Sequence, residues 1–410
     1  AVLTASDVPS NGYGIYPDVK DQPVLADGQV RYRGEAVVAL VGSRDAVLAV
    51  RDADVPIDWT PEPPVTGIDA ARAPGAPLVH DEVAGNLMCH WQRGNAAATD
   101  AAFAKAAHVS SLSIRSPRQI VHYMETRAAW SSWEAASDTA TVTLSSQGVQ
   151  IPHRLMCERV LNIAKDKLRL ITQDVGGGFG PKYPISAESS LIAWATRKLR
   201  RGLRWSAERA EHALSDSHSR DLVASAELAL DAGGRFIGLR VRAQANFGAY
   251  LSMFAPSIPT TGLAKVISGL YRLPAIDIEF DCAFTNTVPV DAIRGAGKPE
   301  ALFLLERLID IAAHETKRSP ADLRRLNLLT AADMPYKAAS GYTYDAADCP
   351  HLFEQALKVA DEAGFPARRA ASEKTGLRRG IGLSCHLHGT GGIADEHSVV
   401  QVTQIGRAHV

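Results

Sequence analysis

Apolar and polar residues alternate in several short stretches. Leu168-Arg169-Leu170-Ile171-Thr172 alternates and then turns β-branched, and Thr139-Ala140-Thr141-Val142-Thr143-Leu144 keeps the same two-residue period, so both predict strands. Val37-Val38-Ala39-Leu40-Val41 is the clearest strand of the first fifty residues. Ser225 to Ala243 reads as a hairpin turning at Asp231-Ala232-Gly233-Gly234. Elsewhere the period becomes helical. Leu191, Ile192, Trp194 and Ala195 share a face between Glu188 and Leu199, and Ala301, Leu304, Leu305, Leu308, Ile311 and Ala312 form a buried stripe in a helix ending at Glu315. Ser319 N-caps another helix, with Asp322 at the capping-box position, and a further one runs from His351 to Ala363.

Between these elements the punctuation sets the organisation. Residues 1–52 are a compact β-rich piece. Residues 53–78, rich in Pro, Asp and Gly and including Pro61-Glu62-Pro63-Pro64, read as an extended linker. Residues 79–330 form a mixed α/β domain, and 331–410 open another. The fold class is therefore α+β.

Two loops carry the candidate chemistry. Asp174-Val175-Gly176-Gly177-Gly178-Phe179-Gly180-Pro181-Lys182 follows a strand and precedes a helix. A glycine run there admits positive φ and leaves main-chain N–H groups open to an anionic or oxo-bearing ligand. Pro181 stands where the dinucleotide fingerprint requires a third glycine. Lys182 lies between Pro181 and Tyr183, so the Gly-Lys-Ser/Thr of a P-loop is missing too. A tight turn without ligand would fit this loop alone equally well. The second loop, Asp291-Ala292-Ile293-Arg294-Gly295-Ala296-Gly297-Lys298-Pro299, again leads into a helix, places Pro299 at its first position and adds the charge of Arg294.

Taken together and in this order, these segments resemble the molybdenum-binding subunit of the xanthine dehydrogenase and aldehyde oxidase family. Leu25-Ala26-Asp27-Gly28-Gln29-Val30-Arg31-Tyr32-Arg33-Gly34-Glu35-Ala36-Val37-Val38 looks like its a/b hammerhead domain. Arg118-Gln119-Ile120-Val121-His122-Tyr123-Met124-Glu125-Thr126 is similar to the segment that opens the first molybdopterin-binding domain. Arg379-Gly380-Ile381-Gly382-Leu383 looks like the opening of the second. The resemblance implies that Gln119 donates a hydrogen bond to an oxo group of the cofactor. It also implies that Gly177, Gly178, Phe179 and Gly180 approach the cofactor from one side, and Arg294, Gly295 and Ala296 from the other. The bland alternatives are a surface strand residue for Gln119 and a structural salt bridge for Arg294. Molybdopterin is the implied cofactor, with its cytosine dinucleotide form as one option, and the metal is held through the pterin. The implied chemistry is hydroxylation of an aldehyde or N-heteroaromatic carbon with water as the oxygen source, electrons leaving through iron–sulfur and FAD subunits. A cytoplasmic assembly of higher order completes the expectation.

Departures from the family narrow it. Tyr183 stands where purine-oxidising members carry a glutamate, Met253 lies near their arginine, and Ala296 replaces an aromatic that stacks on substrate. Gly295 replaces the copper-binding cysteine of carbon monoxide dehydrogenases. Neither purines nor carbon monoxide are therefore the expected substrate. The family's general base is a late glutamate of the second domain, expected beyond Val410. Residues 405–410 match the translation of a common sequencing adapter, and the chain reads as a fragment. A non-catalytic cofactor-binding or assembly module lacking the base is the alternative. Gly178→Val is expected to abolish pterin retention, through a blocked approach and a disfavoured positive φ.

Composition adds exclusions. The chain has 410 residues, 46% hydrophobic and 22% charged, with formal net charge −1, which argues against a nucleic-acid or membrane-surface partner. No apolar run approaches the roughly 18 residues of a membrane span. Five cysteines, at 89, 157, 282, 349 and 385, form no Cys-x-x-Cys pair, so no iron–sulfur pattern is present and free thiols of a reducing compartment are expected. Cys385, beside His386 and His388, reads as part of a half-buried strand rather than a zinc site.

Overall fold

The computed structural model describes residues 1–8, 12–13, 22–388, 401–402 and 408–409. In chain order the main elements are β1 (Leu87–Gly94), α1 (Ala96–Phe103), β2 (His108–Ser116), β3 (Ala128–Glu134), β4 (Thr139–Leu144), β5 (Leu168–Ile171), α2 (Ala187–Leu199) and β6 (Arg204–Ser206). Then come α3 (Arg209–Ser215), β7 (Leu222–Leu230), β8 (Phe236–Asn246), β9 (Ile276–Ala283), α4 (Lys298–Glu315), α5 (Pro320–Asn327), α6 (Cys349–Val359) and α7 (Phe365–Glu373).

Two sheets carry these strands. One is ordered β6-β3-β4-β5, the other β1-β9-β8-β7-β2. Only β4–β5 and β8–β9 run parallel, and each needs a long crossover to bring the chain back to the same edge. The hairpin expected at 225–243 is the β7–β8 pair, with Asp231 accepting from Gly234 and Arg235 at its turn. Each sheet has its own core. Helix α2 sets Ile192, Ala193, Trp194 and Ala195 among Ala140, Val142 and Leu168 of the smaller sheet. Helix α4 sets Leu304, Leu305, Leu308 and Ala312 among Leu228, Leu239, Ile278 and Phe280 of the larger.

Several expectations need correction. The strand at 37–41 is reduced to Ala39–Leu40, because its partner Val2–Leu3 is only two residues long before Thr4 caps a turn onto Asp7. Within the 53–78 segment the chain packs: Val65, Ile68 and Ala71 are buried, Ile68–Ala71 is helical, and Asn286 clamps Val65 through main chain and side chain. The helix read as 351–363 begins at Cys349, capped by Asp348, and ends at Val359. Cys385 lies in irregular chain, not a strand. The buried Glu306–Arg324 pair takes its polar main chain: Glu306 accepts from the Cys385 N–H at 2.8 Å, and Arg324 donates to Leu383 O at 3.2 Å. Of the tail at 405–410, all but 408–409 lies outside the described residues. No helix among the described residues is long and apolar enough to cross a membrane.

Candidate cofactor site

Gln119 sits where the chain leaves the larger sheet after β2 and crosses to β3. An isolated antiparallel bridge joins it to Ser219, with N–H···O distances of 2.9 Å in both directions. The neighbouring His218 pairs in turn with the strand leading into the second glycine loop: its N–H donates to Pro289 O at 3.0 Å, and Asp291 N–H donates to its carbonyl at 2.8 Å. The Ser219 hydroxyl adds a bond to Asp291 O at 2.7 Å. From there the loop reaches the first glycine loop. Arg294 N–H donates to Phe179 O at 2.8 Å, and a Cβ on Gly180 would stand 2.1 Å from Ala292 O. Gly180 has φ +124°, so an L side chain there meets both strain and collision. The structure thus brings Gln119, the 176–182 loop and the 291–297 loop into one continuous frame.

The first loop is braced from the chain just before β3 and just after β4. Glu125 Oε2 accepts from Gly176 N–H at 2.9 Å, Ser145 Oγ at 2.5 Å and Lys182 Nζ at 2.7 Å. Lys182 also donates to Glu125 O and Ser145 Oγ, and its ammonium lies 4.4 Å from the centre of the Tyr123 ring, with the side chain 0% exposed. Burial holds the Lys182 ammonium below its ordinary pKa, against the pull of Glu125. Burial also pushes Glu125 up, but hydrogen bonds from Lys182, Ser145 and Gly176 outweigh it and leave the carboxyl below its usual range. Gln147 Oε1 accepts from Gly180 N–H at 2.8 Å. Two of the loop's amides, those of Gly176 and Gly180, are therefore taken by protein. The N–H groups of Gly177, Gly178, Phe179 and Gly295 have no protein acceptor among the described residues.

Positive φ falls on Gly177, Phe179 and Gly180 but not on Gly178. What a side chain at 178 would meet is Gln147, whose Oε1 would lie 2.5 Å from the new Cβ. The reason given for Gly178→Val is corrected accordingly: contact, not φ, is the obstacle.

In the second loop Gly295, Ala296 and Gly297 are all left-handed, and Lys298 rather than Pro299 takes the first helical position. Arg294 is exposed and makes no ion pair among the described residues. The structural salt bridge belongs instead to Arg220, whose Nη1 contacts both oxygens of buried Glu300 at 2.7 Å while Nη2 reaches Arg294 O at 3.4 Å. Arg220 and Asp221 are consecutive left-handed residues, a costly conformation for non-glycines. It is held by the Arg118–Asp221 pair at 3.0 Å and by Asn246 Nδ2 donating to Asp221 at 2.8 Å.

Asp291 opens this loop from full burial. Burial raises its pKa to about 6, against hydrogen bonds from Ser252 and from the amides of Ala292, Phe254 and Met253. The carboxylate ties the 252–254 segment to the loop, and Phe254 in turn packs on Tyr183, ring centres 5.3 Å apart at 52°. Sequence reasoning assigned no role to Arg220, Gln147 or Asp291. It quoted Glu125 and Lys182 only as parts of motifs. None of these follows a local period that would have marked it.

The open donors include the amides of Gly177, Gly178, Phe179 and Gly295 and the Arg294 guanidinium, beside positions where a Cβ would collide. Among the described residues no group of three His, Cys, Asp or Glu could hold a metal directly. Such a donor set suits a ligand bearing oxo or phosphate groups better than a bare cation, and a pterin-borne metal group fits it.

Comparison with known proteins agrees. The molybdopterin cofactor-binding domain family matches residues 79–328. The chain is 32% identical to the gamma subunit of the 6-hydroxypseudooxynicotine dehydrogenase complex of Paenarthrobacter nicotinovorans, over 97% of this chain and 50% of that one. It is 29% identical to the carbon monoxide dehydrogenase large chain of Hydrogenophaga pseudoflava, over 93% of this chain and 50% of that one. Quinoline 2-oxidoreductase from Pseudomonas putida 86 superposes with a TM-score of 0.84 at 28% identity, covering 92% of this chain and 48% of that one. The chain spans about half the length of the curated relatives it matches. It belongs to the molybdenum-binding subunits of the xanthine dehydrogenase and aldehyde oxidase family.

Proposed function

We propose that the protein carrying this chain hydroxylates an N-heteroaromatic or aldehyde carbon with water as the oxygen source, and that electrons leave through iron–sulfur and FAD subunits of a cytoplasmic assembly. The observation that carries this reading is the bond from Arg294 N–H to Phe179 O, which brings the two loops with their open amides together; Tyr183, just after the first loop, packs on Phe254. The molybdenum–pterin group, when bound, supplies the redox and oxygen-transfer chemistry. Gly177, Gly178, Phe179 and Gly295 would offer amides to that group, Arg294 would offer positive charge, and the Gln119 side chain would donate a hydrogen bond to it. Residues 25–38 take the place of the hammerhead unit.

Tyr183 and Phe254 present aromatic surface, with no acidic group where purine-oxidising members have theirs. Planar, uncharged rings pack well on such surface. The names of two relatives point the same way, since 6-hydroxypseudooxynicotine and quinoline each contain a nitrogen heteroaromatic ring. Gly295, in place of a copper-binding cysteine, opposes carbon monoxide as substrate.

The test is oxidation by the complete protein, with its partner subunits, in isotopically labelled water. A quinoline-type heteroaromatic or an aromatic aldehyde is expected to take up the label while xanthine stays unchanged. Xanthine oxidised with equal kcat/KM would overturn the substrate assignment.

A further inference from the structure

Cys89 on β1 and Cys282 on β9 lie in register across the antiparallel pair. The bond from Asn95 N–H to Ile276 O, 2.8 Å, fixes the alternation of that ladder and makes 89/282 a hydrogen-bonded pair. Cα atoms at such a pair are about 5.5 Å apart, inside the range a disulfide spans, whereas the Cβ atoms, also about 5.5 Å apart, must close by about 1 Å, a strain that makes the linkage easily reduced. The ladder shifts register just after Cys282, which gives the strand local slack. As directly paired residues, the two side chains leave the ladder on the same face, next to one another. Cys89 is partly exposed at the sheet edge, whereas Cys282 is fully buried. The neighbouring Cys282 thiol draws the Cys89 thiol below its ordinary pKa, against desolvation and with help from His90.

We propose that Cys89 and Cys282 form a reversible cross-strand disulfide, with a low-molecular-weight disulfide as oxidant. The Cys89 thiolate attacks one sulfur of the oxidant and expels one small thiolate. Cys282 then gives up its proton and attacks the Cys89 sulfur of the mixed disulfide, expelling the second. Two protein thiols are oxidised and one small disulfide is reduced to two thiols, which take up the protons released. The exposed thiol is the attacking group and the buried one resolves it. The linkage staples the edge strand β1 to its only neighbour in the sheet.

The experiment equilibrates the folded chain with glutathione buffers of graded potential, traps thiols by alkylation and maps cysteine peptides by mass spectrometry. Expected is a cross-linked peptide pair, 89 with 282, while Cys157, Cys349 and Cys385 are alkylated as thiols. In Cys282→Ala the expected product is a stable glutathione adduct on Cys89. In Cys89→Ala the alanine at 89 leaves Cys282 unmodified. Cys89 and Cys282 both recovered as free thiols across the whole potential range would overturn the proposal. So would glutathione remaining on Cys89 with Cys282 present. Both readouts are independent of cofactor content and of activity.

Discussion

The main-chain N–H of Arg294 donates to the carbonyl oxygen of Phe179 at 2.8 Å, and this one bond joins two loops that leave different sheets. Phe179 itself stands at φ +56°, so its carbonyl is aimed by a left-handed turn rather than by a ladder. The loops meet main chain to main chain, and at Gly180 they leave no room for a Cβ.

Gly180→Ala is therefore expected to lower stability by about 2–3 kcal/mol, because its Cβ meets the immovable Ala292 carbonyl at a positive φ. Gly178→Ala meets the Gln147 side chain from Cγ to Oε1, which can swing away at the loss of its bond from the Gly180 N–H, and should cost less, about 1 kcal/mol. Urea unfolding of both variants measures the difference. Equal losses would show that the two loops do not dock as described.

Glu125→Gln keeps the shape of the side chain but weakens three hydrogen bonds. Because Glu125 is more than a third exposed, the loss is discounted to about 1 kcal/mol. Its carboxyl sits below the ordinary value of 4.5, so the stabilisation is present above that pH and lost as pH falls through the folded value. Unfolding free energies of wild type and variant should converge as the solution is acidified. A gap that stays constant with pH would count against an ionised Glu125.

Asp291 has the opposite sign. Its folded pKa of about 6 lies above the ordinary 3.8, so the folded state holds the proton longer than the unfolded chain does. Stability from this group is greatest below about pH 4 and declines as pH rises through 6, by about 3 kcal/mol in all. Relative to Asp291→Asn, the wild type should lose most of that, about 2 kcal/mol, between pH 4 and 7. Parallel stability curves would disprove the shift.

Tyr183→Glu places a charge against Phe254 and is expected to reduce kcat/KM for a neutral heteroaromatic roughly tenfold or more in the complete enzyme. Molybdenum content, measured in parallel, should stay unchanged. Loss of the metal instead would assign Tyr183 to cofactor retention.

How much of this was legible in the sequence depends on where the information lay. Strand β4 spans the residues that its alternation marks, although Thr143 is buried as well as Val142 and Leu144, and the helices at 187–199 and 298–315 follow their periods, since each is local. The glycine runs announced themselves because so few residues adopt positive φ. The Gln119–Ser219 bridge did not, being a single pairing between distant segments with no period of its own. Nor did the meeting of Cys89 with Cys282, which depends on the register of two strands far apart in the chain. The strand read at 37–41 fell short for a related reason: strand length is set by the partner, and Val2–Leu3 offers little.

One property of the bridge from Gln119 through Ser219, His218 and Asp291 to Arg294 and Phe179 reaches beyond this chain. Apart from the Ser219 hydroxyl, every link in it is an amide or a carbonyl, groups that nineteen of the twenty residue types supply alike. The frame is thereby indifferent to which side chains stand at 183, 253 and 296. Those positions can be exchanged to suit a new ring or a new aldehyde while the loops keep their places, so selectivity at such a site drifts without the architecture having to be rediscovered.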